Sequence, residues 1–143
     1  MIRLACLEDA EQLAALNEAF NGPGDVSIEQ IRASLSDNHQ ELVFVEEEAG
    51  NLTGFLCLQL KKSFCYREYT AEITELYVRP AFRRRGIARR LMAFAENYCL
   101  ARFPVSRFEL LTGDDNLPAQ AAYRSLGYAE DGELHLAKET GKE

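Results

Sequence analysis

Leu76-Tyr77-Val78-Arg79-Pro80-Ala81-Phe82-Arg83-Arg84-Arg85-Gly86-Ile87-Ala88 is the stretch on which the fold turns. The run from Ala71 to Val78 predicts a strand. Pro80 cannot donate to a ladder, so pairing stops there. From Gly86 to Arg102 the pattern changes to a helical period. Ile87, Leu91, Phe94, Ala95 and Tyr98 fall at i, i+4, i+7, i+8 and i+11, one apolar stripe. A strand that feeds a helix through a short turn leaves the first helical N–H groups without internal partners, at the positive end of the helix dipole. Such a turn is an anion site. Gly86 lets a ligand approach the backbone, small Ala88 leaves room over the first turn, and the arginines add positive charge suited to phosphate. The stretch has neither the G-x-x-x-x-G-K-[ST] of a P-loop nor the three spaced glycines of a dinucleotide turn.

Outward from this turn the chain alternates strands and helices. Ile2 to Ala5 predicts a short strand, and Glu8 to Phe20 a helix with Leu13, Leu16 and Phe20 at helical spacing. The cluster Asn21-Gly22-Pro23-Gly24-Asp25 is a turn. Ser27 then predicts an N-cap with Gln30 as its capping-box partner, and Ile28, Ile31 and Leu35 form the apolar side of a second helix. Leu42 to Glu48 and Leu52 to Lys61 predict a hairpin around Ala49-Gly50-Asn51, with Phe55, Cys57 and Gln59 on one face of the return strand. Ser63 to Tyr69 is an aromatic-rich loop.

Beyond the long helix, which Pro104 ends, Arg107 to Thr112 predicts a strand. Gly113-Asp114-Asp115-Asn116 is a turn, and Pro118 sits in the first turn of a helix that stops at Gly127. Tyr128 to Ala129 and Glu133 to Lys138 suit two short final strands. The order β-α-α-β-β-β-α-β-α-β-β is a mixed α/β domain with one main sheet, expected to be a single domain over residues 1–143.

The 143 residues carry a formal charge of −7, and the charge is unevenly placed. Six arginines (79, 83, 84, 85, 89 and 90) stand together with no acid among them, which leaves −13 on the rest of the chain. That balance argues against a general nucleic-acid surface and for a small anionic ligand held in one place, with an acidic remainder that attracts a cation. No apolar run approaches the ~20 residues needed to cross a bilayer, and the first residues do not read as a signal peptide. Cys6, Cys57, Cys65 and Cys99 form no C-x-x-C pair, and the two histidines, His39 and His135, lie far apart. No metal site is expected, and the thiols are expected to be reduced in a cytoplasmic protein.

The central turn resembles motif A of the GNAT superfamily of N-acetyltransferases, [QR]-x-x-G-x-[GA] after a strand of the form L-x-V-x-P. Arg83, Gly86 and Ala88 meet it after Leu76, Val78 and Pro80, with Ala88 where glycine is commoner. The second part of that signature, N-x-x-A-x-x-x-Y-x-x-x-G-[FY], is met by Asn116, Ala119, Tyr123, Gly127 and Tyr128. The resemblance implies a GNAT-like fold: a mostly antiparallel twisted sheet of six to seven strands, splayed between strands 4 and 5, with about four helices.

It also implies acetyl-CoA as acyl donor. Its pyrophosphate would rest on the backbone of Arg84, Arg85, Gly86, Ile87, Ala88 and Arg89, and its pantetheine would lie along Leu76, Tyr77 and Val78. The Val78 N–H would polarise the thioester carbonyl. A neutral primary amine would attack directly, without an acyl-enzyme. An alkylammonium titrates near ~10, so a base must first remove its proton.

The resemblance offers Glu72 for that role, with Glu75 on the same strand and Glu109 on the next as rivals. Regular alternation puts Glu72 with Thr74 and Leu76, and Glu75 with Ile73 and Tyr77, so only one faces the acceptor unless a bulge re-aims them. Tyr123 either protonates the departing thiolate or is a core residue beside Ala119 and Leu126. Asn116 contacts the pantetheine, caps its helix, or does both. The resemblance places the acceptor among Phe20 to Ser27, Ser63 to Tyr69 and the region near His135. Asp25, Glu68, Phe64, Tyr66 and Tyr69 are the candidates to receive a small cationic amine or a peptide amine. A homodimer is common in the family. The competing reading is a non-catalytic acyl-CoA-binding module on the same fold.

Overall fold

The computed structural model describes residues 1–24 and 26–141. They fall into two compact units, Met1–Leu111 and Thr112–Glu143. The first unit is built on one sheet. Its strands are β1 (Ile2–Leu4), β2 (Glu41–Glu48), β3 (Asn51–Lys61), β4 (Tyr69–Val78) and β5 (Val105–Leu110), in that spatial order. The first three pairings are antiparallel and β4–β5 is parallel. The β2–β3 hairpin closes through Ala49 and Gly50, both left-handed (φ 52° and 82°), the conformation that matches the twist of the flanking strands.

Helices cover both faces. α1 (Ala10–Asn21) follows a 3-10 turn at Leu7–Asp9, and α2 (Ile28–Asp37) starts at the expected cap. There the Gln30 N–H donates to Ser27 Oγ (3.1 Å) and the Ser27 N–H donates to Gln30 Oε1 (2.8 Å). Leu13 and Leu16 of α1 join Val45, Leu52, Phe55 and Tyr77 in one core cluster, with Ile31, Leu35, Val43 and Cys57 packed against it. The opposite face packs on α3 (Ile87–Arg102). There Phe44 sits edge-on to Phe94 and Tyr98, and Leu56, Leu58, Ile73, Leu91, Met92, Ala95 and Cys99 are buried. The α3 stripe therefore turns further toward Met92 and Cys99 than its spacing predicts, and Phe94 flanks it, 37% exposed.

Two details of the sheet place the site. The β4–β5 ladder runs only from Tyr69↔Val105 to Ile73↔Leu110, so Thr74–Val78 has no partner on that side. The sheet splays there, as expected. Between β3 and β4 the register shifts at Cys57/Leu58: Glu75 pairs with Cys57 but Ile73 pairs with Leu58, leaving Thr74 as the extra residue of a bulge. The Thr74 hydroxyl donates back to the Cys57 carbonyl (3.4 Å).

In the second unit, α4 (Leu117–Ser125) begins at Asn116, whose Oδ1 accepts from the Ala119 N–H (3.3 Å). It ends in left-handed Gly127 (φ 97°), with the Tyr128 N–H donating to the Tyr123 carbonyl and the Gly127 N–H to that of Arg124. The sheet has five strands among the described residues rather than six to seven. Neither Tyr128–Ala129 nor Glu133–Lys138 is a strand; Leu134 and Leu136 are 86% and 85% exposed, so no apolar burial fixes their alternation. β5 also starts two residues earlier than predicted, at Val105, where the Tyr69 N–H donates to the Pro104 carbonyl (2.7 Å).

Candidate active site

At the end of β4 the backbone divides its groups. The Arg79 N–H donates to the Thr53 carbonyl (2.8 Å), which makes Phe55 and Tyr77 the next hydrogen-bonded pair. The main-chain groups of Leu76 and Val78 are therefore turned away from β3, into the splay. Those of Tyr77 are spent on β3, so of the three positions expected to hold an extended ligand, two present their backbone. Gly54 lets β3 and β4 lie this close: a Cβ there would stand 2.6 Å from the Tyr77 carbonyl oxygen.

After β4 a 3-10 turn at Pro80–Phe82 reverses the chain into α3. Arg84 and Gly86 are both left-handed (φ 66° and 77°), which for a residue with a Cβ costs about 1–2 kcal/mol. The turn is held in that shape by its own arginines. Arg83 Nε donates to the Val78 carbonyl (2.9 Å) while its guanidinium lies 5.6 Å from the Tyr77 ring centre. Arg90 Nη1 donates to the Arg85 carbonyl (2.9 Å), and Arg79 Nε to that of Leu52 (3.1 Å).

What results is a shallow cavity of about 120 Å³ lined by Val78, Phe82, Arg83, Arg84 and the first helical turn, Gly86 to Arg89. Arg85 does not line it; its guanidinium lies over Phe82, 5.1 Å from the ring centre. The alternating left-handed residues at a helix N-terminus, with Arg84 and Arg89 at the rim, make a concave positive surface suited to phosphate.

On the α1/α2 face the bulge changes the sequence expectation. Glu72 is paired with Gln59 and Glu75 with Cys57, and Cys57 and Gln59 are two apart on β3, so both glutamates share the face of Tyr77. Ile73 and Leu76 point to the α3 side, with their partners Leu58 and Leu56. The two carboxylates still differ. Glu72 is bound by Lys61 (2.8 Å), which also lies 3.9 Å from Glu109. Glu75 has no such partner among the described residues, and burial pushes its carboxyl above the usual carboxylate range.

Glu41, one residue outside the strand predicted from sequence, stands on the same face. Burial, then the charge of Glu75, push its carboxyl up. The Cys57 thiol is held protonated by burial and by both glutamates, and burial pushes Cys99 up to about 11. All four cysteines are free. The sequence signal for Glu41 was its place in the alternation Glu41, Val43, Val45, an acid in phase with an apolar face.

The other expected acceptor residues are scattered. Phe64 and Tyr66 are 98% and 68% exposed, and Tyr69 is in β4, edge-on to Phe103. Glu68 and His135 are exposed, and Asp25 lies outside the described residues. Phe20 instead lies against Tyr77, with ring centres 5.0 Å apart. In the second unit, Tyr123 is partly buried, and burial raises its phenol above the ordinary range.

The sequence profile of the acetyltransferase (GNAT) family matches residues 8–128. The chain belongs to that family. It is an acetyltransferase. The acetyltransferase is 27% identical over 135 residues to the uncharacterized N-acetyltransferase YhfO of Bacillus subtilis (strain 168), covering 91% of this chain and 90% of that one. Its fold is shared with an aminoglycoside acetyltransferase, meta-AAC0020, from an uncultured soil metagenomic sample, solved with sisomicin (TM-score 0.85, 19% identity, covering 97% and 95% of the two chains). It is shared too with a ribosomal-protein-alanine N-acetyltransferase from Brucella melitensis biovar Abortus 2308 (TM-score 0.81, 20% identity, 96% and 99%). Among the described residues, no helix of the acetyltransferase is long and apolar enough to cross a membrane.

Proposed function

We propose that this chain is an acetyl-CoA-dependent N-acetyltransferase of the cytoplasm, acting on a primary amine by direct transfer. The observation that carries the reading is the gap beside Thr74–Val78, which ends at the left-handed turn of Arg84 and Gly86. An extended arm bearing a pyrophosphate needs this combination: backbone donors along an open strand edge, then a positive concave turn. Acetyl-CoA supplies an activated thioester. Leu76 and Val78 hold its arm, the Val78 N–H stabilises the developing oxyanion, and the turn from Arg83 to Arg89 takes the phosphates.

Glu75 is the base. It faces the acceptor side, and among the described residues no cation pairs with it; burial moves its proton affinity toward neutral pH, where general bases work best. Glu72 is engaged with Lys61 and supports the face. The amine gives its proton to Glu75, directly or through water, and its nitrogen bonds to the acyl carbon. As the C–S bond breaks, the thiolate takes a proton from the Tyr123 hydroxyl. A raised phenol stays protonated throughout the neutral range, as a donor must. Asn116 caps α4.

The test has two stages. Acetyl-CoA should raise the melting temperature, and an amine panel read by release of free CoA should find turnover. No shift with acetyl-CoA would remove the donor assignment. A shift without turnover of any amine would favour a binding module.

A further inference from the structure

Most carboxylates held partly out of water in this chain have a cation. Asp9 and Glu47 share Arg3 (2.7 and 2.6 Å), Glu46 takes the N-terminal ammonium, and Glu72 takes Lys61 (2.8 Å). Among the described residues, Glu41 and Glu75 have no such partner, although both are half-buried. They stand on one face of the sheet: Glu41 is paired with Gln59, Glu75 with Cys57, and Cys57 and Gln59 point the same way from β3. Two strand spacings across the sheet and two residues along it, about 12 Å in all, separate their backbones. Cys57 stands on β3 between them, in the row of Glu75. The next pair on this face, Phe55 and Tyr77, contributes the ring that Phe20 lies against, 5.0 Å between centres.

We propose that Glu41 is a specificity-determining residue of the acetyl transfer: it holds a second, non-reacting cationic nitrogen of the acceptor while Glu75 faces the amine to be acetylated. The acceptor class is then an alkyl diamine or polyamine. The inference rests on Glu75 being the base of the acetyl transfer described above. Holding two carboxylates partly out of water without a counterion is costly, and a ligand that brings a cation to each removes that cost. A monoamine brings one and leaves Glu41 bare. The methylenes between two nitrogens need an apolar surface, and Val43 and Cys57 supply it on the face between the two carboxylates, while the Phe20–Tyr77 wall lies beyond Glu75, away from Glu41. Lys61 is already engaged with Glu72 and so does not occupy this place itself.

The experiment compares 1,4-diaminobutane with n-butylamine at saturating acetyl-CoA, by release of free CoA. The expected result is a kcat/KM at least about tenfold higher for the diamine, a difference of about 1.4 kcal/mol. In Glu41→Gln that ratio should fall to about one, through KM rather than kcat, and Glu41→Asp should restore part of it. A melting curve of Glu41→Gln confirms that the variant is folded. Equal use of both amines by the wild type, or a ratio that survives in Glu41→Gln, overturns the assignment. Failure to turn over any diamine also overturns it; if acetyl-CoA still raises the melting temperature, the donor site stands and only the acceptor class is lost.

Discussion

From Thr70 to Ile73, β4 is paired on both edges; from Glu75 to Val78 it is paired on one, with the bulge at Thr74 between them. Glu72 belongs to the first half and Glu75 to the second, and the bulge at Thr74 turns them to the same face. In the closed half the carboxylate is matched by Lys61, as the ladder beside it is matched by β5. In the open half neither the strand edge nor the carboxylate has a partner within the first unit. A residue's chemistry here follows from how completely its surroundings are satisfied, more than from its type: groups with partners hold the fold, and groups without them are left for a ligand.

The sharpest way to break this contrast is to neutralise each glutamate in turn. Glu75→Gln should lower kcat/KM by about 10²–10³-fold, the range for loss of a general base, while Glu72→Gln should cost less than about threefold. Steady-state rates with any accepted amine decide it, and the reverse ranking would move the base into the closed half. Next in size, Tyr123→Phe should slow turnover by about 10–100-fold at saturating substrates while the melting-temperature rise with acetyl-CoA persists. Unchanged turnover would return Tyr123 to a purely structural role.

The donor side gives a smaller effect. Gly86→Val forces a β-branched residue into φ 77°, and with about 1–2 kcal/mol at stake acetyl-CoA binding should weaken by roughly tenfold, measurable by calorimetry. The smallest effect is on stability. Glu41 and Glu75 have carboxyls raised in the fold, so each contributes stability below the ordinary carboxylate range that is lost as pH rises through the folded value. Glu75→Gln or Glu41→Gln should therefore melt higher than the wild type at pH 8, with the gain gone by about pH 4. A gain that persists in acid would mean that ionisation is not its cause.

The sequence announced the open half better than the closed one. Pro80 marked where β4 leaves the sheet, and Arg83, Gly86 and Ala88 marked the turn, because such a turn is specified by local residue chemistry. The Ser27–Gln30 cap and the stop at Gly127 were legible for the same reason. The phase of Glu72 and Glu75 was not: it depends on one extra residue against β3, and β3 carries no mark of it within its own alternation. The final strands failed because the alternation of Leu134 and Leu136 had nothing to bury it. Exposure also removed Phe64 and Tyr66 from the acceptor side, although their composition suggested a pocket.

Arg83 has one more consequence. Its Nε–H lies on the Val78 carbonyl and its planar group covers Tyr77, so the arginine works through a flat, directional N–H as much as through its charge. Glutamine, the alternative at this motif position, also offers a planar N–H; lysine offers charge on a tetrahedral, freely rotating head. The tolerance of the position is therefore one of shape. A neutral glutamine should keep the Val78 peptide aimed into the gap, whereas a lysine, conservative by charge, should let it swing.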